Sequence, residues 1–262
     1  MNTAPTRECD TALRVRSGPE SASFRAFGET QHDLDTHFEM PRPVLVSALL
    51  ASCATSSSHS VEHWQKQTLS CRTLALLQLV AQTRRNRVCT ITLTCQQPEC
   101  REPAFEASVP LSALEQLVAQ SEQQPLHTRF RQPTGEDQIQ WLTLPRTEMG
   151  VRAMARSLLT TRTGDEAWLS DAEAALSELD PLTAFSVTCS CPGCEVKHAH
   201  PIDLEGWALA HLQQRQAALI RIVHRLATAY RWTEADVLGL PAWRRMAYLQ
   251  HIEASQAKGG HW

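Results

Sequence analysis

Apolar residues recur along this chain at two periods, and the switches between them mark out its elements. Behind Pro41 and Pro43, residues 44–54 read as a short helix, and the polar run 55–59 reads as a linker. From about 60 to 83, Trp64, Leu74, Leu77 and Val80 share one stripe of a longer helix. Its last turn is basic (Arg84, Arg85, Arg87), and Asn86 suits a left-handed stop. The period then shortens to two. Residues 88–94 alternate and are rich in β-formers, and 104–109 are extended. Ser112 and Glu115 have the spacing of a capping box that opens a helix through Leu114, Leu117 and Val118. Residues 127–131 read as a third strand, and Thr134 with Asp137 caps a short helix through Trp141. A helix from Thr147 to about Thr160 turns Met154, Leu158 and Leu159 inward. Ser170 and Glu173 form a second capping box, for a helix that stops near Asp180 and Pro181.

The strand pattern returns at 185–189 and 195–202. The strongest helical pattern follows at 204–230, with Leu212, Leu219, Ile222, Val223, Leu226 and Tyr230 on one face. Thr233 caps a short helix, and Pro241 opens the last one, whose apolar positions are Trp243, Met246, Ala247, Leu249 and Ile252. Residues before about 38 are polar without apolar period, which predicts disorder. The expected fold is α+β and mainly helical, with two zinc-ribbon-like β knuckle units packed among helices. Its expected divisions are a disordered extension 1–40, a helical segment with the first knuckle unit 41–145, the second knuckle unit with the C-terminal helices 146–254, and a frayed tail 255–262.

The chain has 262 residues, 42% of them apolar, so a sizeable core is within reach. A net charge of −3 leaves no electrostatic footprint for nucleic acid. No apolar run is long enough to span a bilayer, and the first residues lack the order of a signal peptide. This reads as a cytosolic protein, where clustered cysteines point to metal rather than disulfides. The odd count of nine cysteines agrees. Cys9, Cys53, Cys71 and Cys89 are scattered and read as ordinary thiols.

The other cysteines gather in two short motifs. Each follows a β-type run, contains a Thr-Cys pair and has a Pro two residues before its last Cys: Cys95, Pro98, Cys100 in one; Cys189, Cys191, Pro192, Gly193, Cys194 in the other. A zinc ion wants four thiolate or imidazole ligands in a tetrahedron, and a knuckle delivers two from a tight turn. Two knuckles brought together complete a structural site. The first choice of ligands is Cys95, Cys100, Cys191 and Cys194, with Gly193 easing the second turn. Cys189 aligns with Cys95 in the repeat and stands as a substitute for Cys191. His198 and His200 form an H-x-H pair that a strand places on one face, and they compete less strongly. Signatures of catalysis are missing: no nucleophile elbow, phosphate loop, zinc-protease helix or dinucleotide fingerprint. The expectation is a protein that is not an enzyme.

Three segments carry a family resemblance. The first holds Arg131, Pro133, Thr134, Gly135, Asp137 and Gln138. The second holds Asp180, Pro181, the Cys191 to Cys194 knuckle, Ile202 and Asp203. The third spans 219–238, including His224, Tyr230, Trp232 and Glu234, and continues through Arg244, Arg245, Tyr248 and Leu249. Together they resemble the baseplate proteins of T-even-like phage tails and of phage-derived extracellular contractile injection systems, over roughly residues 60–254. The first knuckle departs from the family pattern, because Gln97 stands where a cysteine is expected and Cys95 lies two residues upstream. The resemblance implies a tail or baseplate component or assembly factor, made in the cytoplasm, working with other baseplate, hub or tube proteins and without catalysis. Arg244, Arg245, Trp232 and Tyr248 are the candidate partner-binding residues, since aromatics and arginine are enriched at interfaces. The alternative for the aromatics is that they close the core between the last helices. The alternative for the whole chain is a zinc-ribbon nucleic-acid-binding or regulatory adaptor; a zinc hydrolase or deaminase would need an open metal site.

Overall fold

In the computed structural model, which describes residues 23–100, 104–123, 129–160 and 168–259, helices alternate with two hairpins. Three helices come first: α1 (Arg42–Cys53), α2 (Val61–Lys66) and α3 (Leu69–Arg84). β1 (Val88–Thr94) then pairs antiparallel with β2 (Ala104–Pro110), from Val88 opposite Pro110 to Thr94 opposite Ala104. Four helices follow: α4 (Leu111–Gln123), α5 (Gly135–Trp141), α6 (Glu148–Ser157) and α7 (Trp168–Leu179). The second hairpin pairs β3 (Ser186–Ser190) with β4 (Lys197–Pro201), and α8 (Leu204–Tyr230), α9 (Glu234–Gly239) and α10 (Ala242–Gly259) close the chain. The protein is thus mainly helical α+β, with two separate two-stranded sheets among the described residues.

The largest core lies where α1, α3, α4 and the first half of α8 meet the inner faces of the hairpins. Leu49, Leu50, Leu76, Leu79, Leu114 and Ala208 are fully buried there. β1 supplies Cys89, Ile91 and Leu93 by simple alternation. A smaller cluster of Phe130, Leu158, Trp168 and Leu179 joins α6 to α7. A third, of Val223, Leu226, Val237 and Leu249, joins the end of α8 to α9 and α10.

Several expectations need correction. The helix expected at 60–83 is two helices, because Thr68 begins a second one by accepting the N–H of Cys71. The groups left over at this break bind another segment: Leu69 N–H donates to Pro133 O at 3.0 Å and Gly135 N–H to Gln67 O at 3.2 Å. The left-handed residue that ends α3 is Arg85 (φ 54), while the side chain of Asn86 accepts the N–H of Val88. Ser112 does not cap α4. The helix begins one residue earlier, straight out of β2, as Leu111 N–H donates to Arg87 O, and the Glu115 carboxylate takes Arg87 and Gln78 instead. Likewise α7 already includes Trp168, so Ser170 lies inside it. Of the strand expected at 127–131, the part before Arg129 lies outside the described residues, and Phe130 forms an isolated bridge to Leu159 outside the described strands. In α10, packing of Leu249 against α8 and α9 sets the phase and leaves Trp243 and Met246 70% and 50% exposed. Its helix continues to Gly259, past the expected fraying point.

The extension expected to be disordered over 1–40 is ordered from Ser23 onward, and residues 1–22, with Cys9, lie outside the described residues. Phe24 and Phe27 are buried in the main core, and Phe24 stacks on Trp64. Asp33 organises the turn between them and α1. Its carboxylate accepts the N–H groups of Gly28, Glu29 and Thr30 and pairs with both Nη atoms of Arg25 at 2.7 and 2.8 Å.

Candidate metal centre

β1 ends at Thr94, so Cys95 is the first residue beyond it; β3 ends at Ser190, so Cys191 is the first residue beyond that. The two hairpins therefore deliver a cysteine from the same structural position, followed by a turn that carries Cys100 or Cys194. The Sγ atoms of Cys95, Cys100, Cys191 and Cys194 all lie within 4.8 Å of one another. Across the two loops, Cys95 and Cys194 approach to 3.6 Å, and Cys100 and Cys191 to 3.5 Å. A disulfide would need about 2.05 Å, and the described cysteines are thiols. A tetrahedral ion with bonds of about 2.3 Å to sulfur sets its ligands roughly 3.8 Å apart. The four thiols suit a metal ion, and each loop contributes two.

Local backbone geometry shapes both turns. In the first, Gln97 N–H donates to Cys95 Sγ at 3.5 Å and Cys100 N–H to Gln97 O at 3.2 Å. In the second, Cys191 N–H donates to Val196 O, and Glu195 N–H to Cys191 O at 2.8 Å. The left-handed residue here is Glu195 (φ 62), not Gly193. At Cys191, burial raises the pKa, but the N–H groups of Gly193 and Cys194 and the thiols of Cys100 and Cys95 outweigh it and bring it to about 7. At Cys194, the N–H of Val196 lowers the pKa, but burial and the thiols of Cys95 and Cys191 leave it above its ordinary value. One thiol of the cluster is thus poised to ionise near neutral pH, as a metal ligand must.

Cys189, His198 and His200 stand outside this group. Cys189 lies within β3, directly opposite His198 of β4. His198 and His200 bury Nε2 atoms that have no hydrogen-bond partner among the described residues, and the His200 ring meets the edge of Phe105 from the first hairpin. The alignment of Cys189 with Cys95 fails because Cys95 matches Cys191 by position relative to its strand.

The segment from Arg131 to Gln138 is a clip. Arg131 pairs with Asp137 through two bonds of 2.6 Å, and Asp137 also accepts the N–H and hydroxyl of Thr134 as the far half of a capping box. Gly135 is there for space. A Cβ would stand 1.8 Å from Nη1 of Arg72. Arg72 is fully buried and holds Ser47 Oγ, Trp64 O and Pro43 O at 2.8–2.9 Å, so it ties α1, α2 and α3 together. Sequence reading missed this hub, although Arg72 falls in phase with buried Leu69 and Leu76 and so stands out as a cation on an apolar stripe. It also missed Ser70, whose hydroxyl bonds the buried carboxyl of Asp180 and accepts the N–H of Leu182, fixing the end of α7 to α3.

Of the candidate partner-binding residues, Trp232 and Tyr248 are half-buried and pack with Tyr230 at ring separations of 4.8–5.5 Å. They close the third cluster. Arg244 is exposed and lies over the Tyr248 ring, while Arg245 is buried. No described helix is long and apolar enough to cross a membrane. The chain matches no family model, no curated protein and no solved structure.

Proposed function

We propose that the chain is a non-enzymatic component or assembly factor of a contractile, phage-tail-like baseplate, with structural zinc stapling two knuckle units. The observation that carries this reading is the four-thiol cluster, which joins loops distant in sequence and belongs to the knuckle pattern of the resembled family. Four thiolates would fill a tetrahedral zinc and leave no position for a substrate or a reactive water, which favours a structural role over a hydrolase or deaminase. Thiolate sets also suit iron; zinc is the reading for a site without redox work. Partner contact falls to the C-terminal helices, where Trp243 and Met246 are exposed beside Arg244.

The test is affinity capture of the tagged protein from its native host, with partner identification and metal analysis of the same eluate. Tube, sheath or baseplate proteins with about one zinc per chain would support the proposal. Fixed stoichiometry would indicate a resident component, and substoichiometric recovery an assembly factor. Nucleic acid in place of tail proteins would overturn it in favour of the adaptor.

A further inference from the structure

α3 and α8 part near the end of α3 to form a cleft of about 330 Å³, lined by Val80, Thr83, Arg84, His211, Leu212 and Arg215. Buried Val80 and Leu212 give it an apolar wall. The Thr83 hydroxyl is engaged twice, donating to Leu79 O and accepting Phe27 N–H. His211 must donate from Nδ1, since the group it meets at 2.9 Å is the carbonyl of Trp207. Arg84 lies over the Trp207 ring, 5.9 Å from its centroid. The turn at Gly28 closes one side: a Cβ there would lie 3.5 Å from Arg215 Nε.

Cations dominate what remains. Among the described residues, no carboxylate pairs with Arg84, Arg215 or, from α10, Arg245. Arg215 buries Nε without a partner, and Arg245, only 7% exposed, does the same with Nη1. Elsewhere the terminal nitrogens of enclosed arginines are served: half-buried Arg25 binds Asp33, and buried Arg72, whose Nε also lacks a partner, places its Nη atoms on three oxygens. Burying a guanidinium nitrogen without an acceptor is costly. Arg245 feels it, because burial and the nearby charge of Arg215 both hold its pKa below the ordinary arginine value.

We propose that this cleft is an oxyanion site, in which Arg215 and Arg84 bind one carboxylate or phosphate group and Arg245, near Arg215, adds positive field. The forked donors of arginine match both kinds of group. The source is either a free small anion or an acidic side chain of a partner protein.

The experiment is isothermal titration and thermal unfolding of the full chain with inorganic phosphate and, separately, a blocked glutamate-rich peptide, at ionic strength matched with chloride. Wild type should bind at least one probe and melt at a higher temperature in its presence. Arg215→Gln should weaken binding about tenfold or more, as expected for the loss of a charge-assisted bond. Arg84→Gln, on an exposed side chain, should weaken it without affecting folding. Preference for phosphate would identify a free anion, and preference for the peptide a partner's side chain. Failure of both probes to bind wild type, or equal binding by wild type and both variants, would overturn the proposal.

Discussion

Replacing Cys191 and, separately, Cys189 with serine gives the sharpest test of the metal reading, because the two lie two residues apart and the structure assigns them different surroundings. Cys191 Sγ is 3.5 Å from Cys100 Sγ and belongs to the four-thiol group, whereas Cys189 stands in β3 opposite His198. An ion that binds only the native state stabilises it by RT ln(1 + [M]/Kd), about 4.1 kcal/mol at a thousandfold excess over Kd. In a chain of this size 1 kcal/mol moves Tm by about 2–4 °C, so zinc added to metal-stripped wild type should raise Tm by roughly 8–16 °C. Cys189→Ser should keep most of that response, and Cys191→Ser should lose most of it together with its bound zinc. The assay is thermal unfolding after chelation and zinc add-back, with metal content measured on the same samples. Equal responses from the two variants, or no response from wild type, would refute the reasoning.

Gly135→Ala should destabilise by about 1–3 kcal/mol in urea unfolding, the usual range for overpacking, since its Cβ would collide with a guanidinium already fixed by three acceptors. Acid should weaken the fold through Asp33 and Asp137. At each, burial raises the pKa, but the bond to Arg25 or Arg131 and the N–H groups of the turn outweigh it and leave the carboxyl below its ordinary value. Their contribution is therefore complete above the unfolded carboxyl pKa of about 3.9 and is lost as pH falls through the lower folded value. Asp33→Asn should accordingly flatten the decline in Tm below pH 4, and an unchanged slope would count against it. Chelation should speed amide exchange first in the loops after β1 and β3 and last in α3 around Leu76 and Leu79; uniform acceleration would contradict a local staple.

Elements with a strong period or a local cap were legible in the sequence. The 27 residues of α8 agree with the stripe from Leu212 to Leu226, and Thr134 and Thr233 each close the capping box their spacing suggests. The four clustered cysteines were a first choice on knuckle spacing alone. What escaped was set by distant partners. Thr68 is an ordinary polar residue until the 133–135 segment takes the backbone groups beside it. Phe24 and Phe27 lack helical or strand period because they pack from an irregular turn whose polar groups are gathered by Asp33. The choice between Cys189 and Cys191 depended on where β3 ends, and strand ends are poorly marked in sequence. Arg72, Arg215 and Arg245 did carry a signal. Each occupies a core-phase position of its helix, where an aliphatic side chain is expected.

A metal held by the four thiols would matter because of what lies between the two loops. A two-stranded hairpin is marginal alone, and here each sheet sets one row of side chains, Ile91 and Leu93 in the first and Val187 and Cys189 in the second, against the main core. A cross-link between the two loops encloses about ninety residues, which in the chain-entropy treatment removes roughly 4–5 kcal/mol of freedom from the unfolded chain. Those residues include α4 to α7, and the cluster that α6 and α7 share is small, with the Ser70–Asp180 bond and the bridge from Thr68 to Thr134 among its ties to the main core. Binding a metal at four thiols would fix both ends of this insert at one place. The inserted helices and α8, which directly follows β4, would then keep a set relation to each other. A scaffold that presents helical surfaces to several neighbours requires that relation, and a site closed to substrate is compatible with it.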